Sequence, residues 1–206
     1  MRAFQRLTAL TAAVASAGLL LASAGGAASA SSAGAAPAIR VTGGLTSVTT
    51  SPGIATALVT NGIVPLATAP GQQWLTLKPG LAAHLTFPVT GGRVSLHPVG
   101  GFVTHIGGIL FLNARTGQQV EVSNFTIDIS RDNLNGIVNG NPKARIAIFR
   151  LGLGHAVLKA GRHSVSARNI TLSLTPGAAS ALDAALGTSV FTAGLGVGTA
   201  ATLLRF

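Results

Sequence analysis

The chain reads as mainly β: an antiparallel sandwich or barrel-like core with two short capping helices, near 52–61 and 176–186. Three observations predict it. Short β-prone runs alternate apolar with polar residues, clusters of Gly, Pro and Asn separate the runs, and two Pro-Gly stretches rich in Ala and Leu interrupt them.

Residues 1–30 read as a secretory signal peptide. Arg2 and Arg6 supply its positive start, no charge falls between Leu7 and Ala24, and Ala28-Ser29-Ala30 has the small-x-small form that a signal peptidase needs. The stretch mixes Ala, Ser, Thr and Gly with its Leu, unlike the about 20 predominantly apolar residues of a spanning helix. Residues 31–38 read as a disordered tail and 39–206 as a single β-rich domain, large enough to bury its own core. With no Cys there is no disulfide to staple it, which in an exported protein suggests a bacterial source. The expected location is secreted or extracellular, associated with the cell wall, without a transmembrane segment once the signal is removed.

Within the domain, Phe125, Ile127 and Ile129 alternate with Thr126 and Asp128, and Ile170, Leu172 and Leu174 alternate with Thr171 and Ser173. One face of each strand is therefore buried and the other wet. Ala144, Ile146 and Ile148 alternate with Arg145 and Ala147, but Phe149 and Leu151 make that run apolar on both sides. Turns are expected at Thr90-Gly91-Gly92, Pro98-Val99-Gly100-Gly101, Thr116-Gly117-Gln118 and Asn139-Gly140-Asn141-Pro142. Gly194-Leu195-Gly196-Val197-Gly198 bends the chain into a final strand, Thr199 to Arg205. The sequons Asn124-Phe125-Thr126 and Asn169-Ile170-Thr171 are accidental in a bacterial setting.

The helical stretches resemble each other. Pro52-Gly53-Ile54-Ala55-Thr56-Ala57-Leu58 matches Pro176-Gly177-Ala178-Ala179-Ser180-Ala181-Leu182, and each follows a Thr-containing strand, Leu45 to Thr50 and Ile170 to Leu174. Ser51 and Thr175 stand as N-caps with Pro at the first helical position, and Gly62 and Gly187 stand where the helices stop. A strand-cap-helix unit thus occurs twice. The two helices are expected to plug the ends or edges of the β core, burying Leu58, Leu182 and Leu186.

Removal of Arg2 and Arg6 with the signal leaves twelve of the fourteen Lys and Arg against four acids, a net charge of +8. That balance favours anionic cell-envelope partners. The cations are scattered, Tyr is absent and Trp74 is the single Trp, so a nucleic-acid surface is not expected.

The acids are Glu121, Asp128, Asp132 and Asp183, and no two are placed as a recognisable catalytic pair. No nucleophile elbow is present. The five histidines, His84, His97, His105, His155 and His163, show no metal-ligand spacing, so no metal site is expected. With Pro98 to Gly101 as a turn, His97 pairs with Phe102 and His105 lies opposite Val94, which separates the two histidines by roughly 10 Å at ~3.3 Å per residue. His105 stands out because Gly107-Gly108 beside it permits close approach of a ligand or of another strand. His105, His97 and Arg93 are the candidate ligand-binding residues.

Four segments carry a resemblance: Phe87-Pro88-Val89-Thr90-Gly91-Gly92, Thr104-His105-Ile106-Gly107-Gly108-Ile109-Leu110-Phe111, Val122-Ser123-Asn124-Phe125-Thr126-Ile127-Asp128, and Leu174-Thr175-Pro176-Gly177-Ala178-Ala179 with Gly198-Thr199-Ala200. In order and rhythm they resemble secreted β-rich proteins of Gram-positive bacteria that are distantly similar to the haem-transport-associated domain. In its haem-binding members a tyrosine near the domain start ligates iron and a histidine supports it. This chain has no Tyr, so that ligand does not carry over, and what the resemblance leaves open is a His-only haem site at His105.

The expected function is a non-catalytic secreted binding or surface protein, attracted to anionic wall components and without a cofactor. Two alternatives stay open: a carrier of haem or a small apolar ligand, and a hydrolase whose site would need Glu121, Asp128 or Asp132 to meet a histidine.

Overall fold

A computed structural model describes residues 38–206. The expected signal peptide, and the tail except for its last residue, lie outside the described residues. The strands are β1 Ile39–Val41, β2 Gly43–Thr50, β3 Ile63–Thr68, β4 Gln72–Thr76, β5 Ala82–Leu96, β6 Val99–His105, β7 Gly108–Asn113, β8 Gln119–Asp128, β9 Asn133–Val138, β10 Arg145–Gly152, β11 Val157–Ala160, β12 Ser164–Leu174 and β13 Gly196–Arg205. The helices are α1 Pro52–Thr60 and α2 Pro176–Leu186, and a 3-10 turn spans Ile129–Arg131.

Following the pairings round, β2, β5, β6, β8, β9, β10, β12 and β13 close on themselves, each antiparallel to the next. The core is thus a closed eight-stranded barrel, the barrel form of the predicted β architecture. Closure leaves none of these eight strands as a bare edge. The remaining strands extend the wall: β1 and β4 lie beside β5, β3 beside β7, β7 beside β8, and β11 beside β12.

The alternations fill the interior as expected. Phe125, Ile127, Ile170, Leu172 and Leu174 are buried, and Thr171 is exposed. Ile129 drops out of the pattern because β8 ends at Asp128 and the chain tightens into the 3-10 turn. On β10 a register shift between Ala147 and Phe149 resets the alternation, so Ile148 before it and Phe149 and Leu151 after it are all buried. Further shifts fall between Ser123 and Thr126 and between Ala167 and Ile170. The sequon residues Asn124 and Asn169 sit there with φ of 51° and 59°, a conformation asparagine tolerates better than most residues.

Two expected turns are corrected. Thr90-Gly91-Gly92 lies inside β5, where a register shift bends the strand. Pro98 to Gly101 is not the hairpin turn: Leu96 pairs with Val99, so the turn is His97-Pro98 alone. The turns at Thr116-Gly117-Gln118 and Asn139-Gly140-Asn141-Pro142 hold. The final strand begins at Gly196, earlier than expected. Gly198 lies within it because a Cβ there would collide with the β2 backbone at Thr49 and Thr50.

Both helices form where predicted, and Leu58, Leu182 and Leu186 are buried. Gly187 stops α2 in the left-handed region (φ 60°, ψ 44°), and Gly62 (φ 80°) follows the end of α1. The caps differ. Thr175 Oγ1 accepts from Ala178 N (3.2 Å) and donates to Ala147 O (2.7 Å). Ser51 holds the N-cap position, but its exposed side chain makes no capping bond, contrary to expectation.

The two strand-helix units share one neighbour. Ala200 of β13 lies opposite Val48 on one side and Ile170 on the other. Since β2 and β12 are both antiparallel to β13, they run parallel to each other, and the helices that follow them emerge at the same end of the barrel. The plugs therefore occupy one end, not both. Among the described residues no helix is long and apolar enough to cross a membrane.

The cap difference sets a measurable contrast. Thr175→Ala is expected to lower unfolding free energy by about 1–2 kcal/mol in urea denaturation, whereas Ser51→Ala stays within about 0.5 kcal/mol of the parent.

Candidate ligand site: two cavities in one barrel

Eight strands enclose an interior just wide enough for packed side chains or one small ligand. Here the interior divides in two. Under the helices lies a cavity of about 70 Å³, lined among others by Thr46, Leu58, Phe87, His105, Leu182 and Phe191. At the opposite end lies a cavity of about 370 Å³, whose walls include Val103, Ile127, Leu151, Ile170 and Leu204. Only Ser95 and Thr202 among its lining residues are polar.

A polar cross-piece stands between the two. Thr46 Oγ1 on β2 lies 2.7 Å from His105 Nε2 on β6 and 2.8 Å from Thr202 Oγ1 on β13. Thr46 and His105 line the smaller cavity and Thr202 the larger. Thr46 and Thr202 lie directly across from each other in the β2–β13 register, facing inward where the neighbouring positions are apolar. Their hydroxyls and the imidazole satisfy one another at a depth where an unpaired hydroxyl would cost about 1–3 kcal/mol.

His105 is 5% exposed. Burial pushes its pKa down from 6.5 to about 4, against an upward pull from the Phe125 carbonyl. Its Nδ1 has no hydrogen-bond partner: that carbonyl attracts the proton without closing a bond. At neutral pH the ring is therefore an uncharged imidazole whose Nε2 is engaged by Thr46. His105 lies opposite Val89, not Val94, because the hairpin turn is shorter than expected.

The other two candidates do not join it. His97 is exposed in the turn between β5 and β6 and pairs with no residue of β6. Phe102, its expected partner, lies opposite Arg93. Arg93 is exposed, and its neighbour Val94 is the residue that points inward. The glycines beside His105 serve chain packing: a Cβ on Gly107 would crowd Gly71 and Thr68, and one on Gly108 would crowd Ser123 and Val122. Close approach by another strand, not by a ligand, explains them.

Sequence reasoning missed Thr46 and the whole of the larger cavity. It also left His84 without a role. That ring stacks on Trp74 (5.2 Å between centroids, 7° between planes), and its nitrogens lie 3.1 Å from Thr49 Oγ1 and from Thr76 Oγ1.

The acids are dispersed. Glu121 accepts from Thr68 Oγ1 (2.9 Å), Asp128 pairs with Arg131 (2.8 Å), Asp183 accepts from Phe191 N (3.1 Å), and Asp132 is exposed. Among the described residues no carboxylate is bonded to a histidine, and no three His, Asp or Glu gather where a metal ion could sit.

No protein-family model and no curated protein matches the chain. Solved structures share its fold. The C-terminal domain of HtaA from Corynebacterium glutamicum superposes with a TM-score of 0.53 at 14% identity, over 81% of this chain and 98% of that one. A domain-swapped dimeric histidine-to-alanine variant of the same domain superposes with a TM-score of 0.50 at 14% identity, over 73% of this chain and 88% of that one. The likeness is one of fold, and at that level the distant resemblance to the haem-transport-associated domain stands.

The depressed pKa of His105 predicts a pH dependence. The unfolded chain takes up a proton below about 6.5 that the folded chain refuses until about 4. Stability is therefore whole above pH 6.5 and falls as pH drops through that window, by about 3 kcal/mol from this group. Urea midpoints of the parent and of His105→Gln, measured at pH 7 and pH 4.5, should differ in their pH slopes, the variant having lost most of it.

Proposed function

We propose that this chain is a non-catalytic carrier that holds a small apolar ligand inside its barrel, outside the cytoplasm. The cavity of about 370 Å³ carries the reading. Ligand sites are mostly apolar concavities of about 300–1,000 Å³ with few polar groups, and this one falls in that range where the helix-end cavity does not. An export signal and a barrel that needs no disulfide suit a carrier working beyond the membrane. Adhesion to anionic wall polymers is the weaker reading, because the cations are scattered while the cavity is a built feature.

Haem is the ligand the family resemblance suggests, and the residues present do not fit it. The expected phenolate is missing, since the chain has no Tyr. The oxygen that meets His105 belongs to Thr46, an alkyl hydroxyl. His105 Nε2 is engaged by that hydroxyl, and the cavity it lines is only about 70 Å³. The roomier cavity has no His in its walls.

The test is a pair of titrations of the full mature chain. With N-phenyl-1-naphthylamine, an uncharged apolar probe, fluorescence should rise and saturate at one probe per chain. With haem, the absorption spectrum of the parent should match that of His105→Ala. Absence of probe binding would end the carrier reading, and a Soret band lost in His105→Ala would assign the ligand to iron coordination instead.

A further inference from the structure

We infer that the larger cavity takes the hydrocarbon chain of a single-chain anionic amphiphile, a fatty-acyl carboxylate, with its head group left at the mouth. This rests on the carrier reading and names the ligand class and the place.

The cavity is a blind well. Its inner walls are closed: Val103 is 2% exposed, Ile170 7% and Ile127 8%. Its outer walls are open: Val99 is 55% exposed and Leu158 52%. The floor is Thr202, whose hydroxyl is spent on Thr46. From Val103 to Val99 along β6 the well extends about 13 Å. Apolar cavities of about 150 Å³ already stay dry and bind benzene, so a lining this apolar gains by admitting hydrocarbon.

No charged residue lines the well, so a ligand's charge has to remain outside it. The outside is basic. Lys159 follows Leu158, Arg205 follows Leu204 and His97 follows Leu96, and all three are exposed. Against them stand Asp128, already paired with Arg131, and Asp132. Near the rim, Ser95 Oγ is buried without a partner, two residues from the turn at His97, and is a free donor in the wall. β11, which pairs only with β12, contributes Leu158 to the rim and leaves one side of the mouth unclosed.

The experiment displaces bound N-phenyl-1-naphthylamine from the mature chain with dodecanoate, with dodecanol and with phosphatidylglycerol vesicles. Dodecanoate should displace the probe about tenfold more tightly than dodecanol, and 1 M NaCl should narrow the gap by screening. Lys159→Glu should weaken dodecanoate several-fold without changing probe affinity, and Leu158→Trp, at an exposed position, should weaken both. Displacement by the vesicles, whose lipid carries two chains and a phosphodiester, would overturn the single-chain carboxylate assignment, and displacement by the free acid alone supports it. A probe that binds but yields equally to dodecanol and dodecanoate, or to neither, would overturn the acyl-carboxylate assignment and leave the carrier reading standing. A probe that does not bind would overturn both.

Discussion

The Thr46 hydroxyl organises the interior of this barrel. One side chain, inward-facing on a strand near the domain start, meets His105 over the intervening β5 and Thr202 on the adjacent strand. Two hydroxyls and the His105 Nε2, each costly to bury alone, become partners of one another. Their position divides an otherwise continuous apolar core into a tight half and a roomy half. The same contact engages Nε2 of the one deeply buried histidine, while burial keeps its ring neutral.

Topology decides which half is which. Because β2 and β12 flank β13 in the same direction, their helices close a single end, and Leu58, Leu182 and Leu186 fill it. Among the described residues nothing comparable closes the other end. There the wall is completed by the β5–β6 hairpin, the 3-10 turn at Ile129–Arg131 and the short strand β11, all four residues of which are exposed. Among the described residues the open half is lined by no His, Asp or Glu that could ligate iron.

Much of the scaffold was legible from residue periodicity. The strands around Phe125 and Ile170, both helices and their leucines fall where alternation and capping chemistry put them. The errors have local causes. Thr90-Gly91-Gly92 carries turn residues, yet its glycines serve a bend and close strand packing within β5. Ser51 looks like Thr175 in sequence, but its hydroxyl makes no capping bond, and the Ile54 amide bonds the Ser51 carbonyl instead. Of the candidate site, His105 was found through its neighbouring glycines, for a reason that proved to be packing. Its partner Thr46 lies 59 residues away, and no local pattern links two such positions. The larger cavity was invisible for a related reason. Val103, Ile127, Leu151 and Leu204 come from four different strands, and each reads as ordinary core.

The central claim is that ligand occupies the open half of the barrel and not the half beneath the helices. Methyl NMR on selectively labelled protein, with and without a saturating apolar ligand, tests it most directly. Large shifts are expected for Val103, Ile127, Val165 and Ile170, and little change for Ile54, Leu58 and Leu182. Shifts concentrated on Ile54, Leu58 and Leu182 would contradict it, placing the ligand beside His105 under the helices.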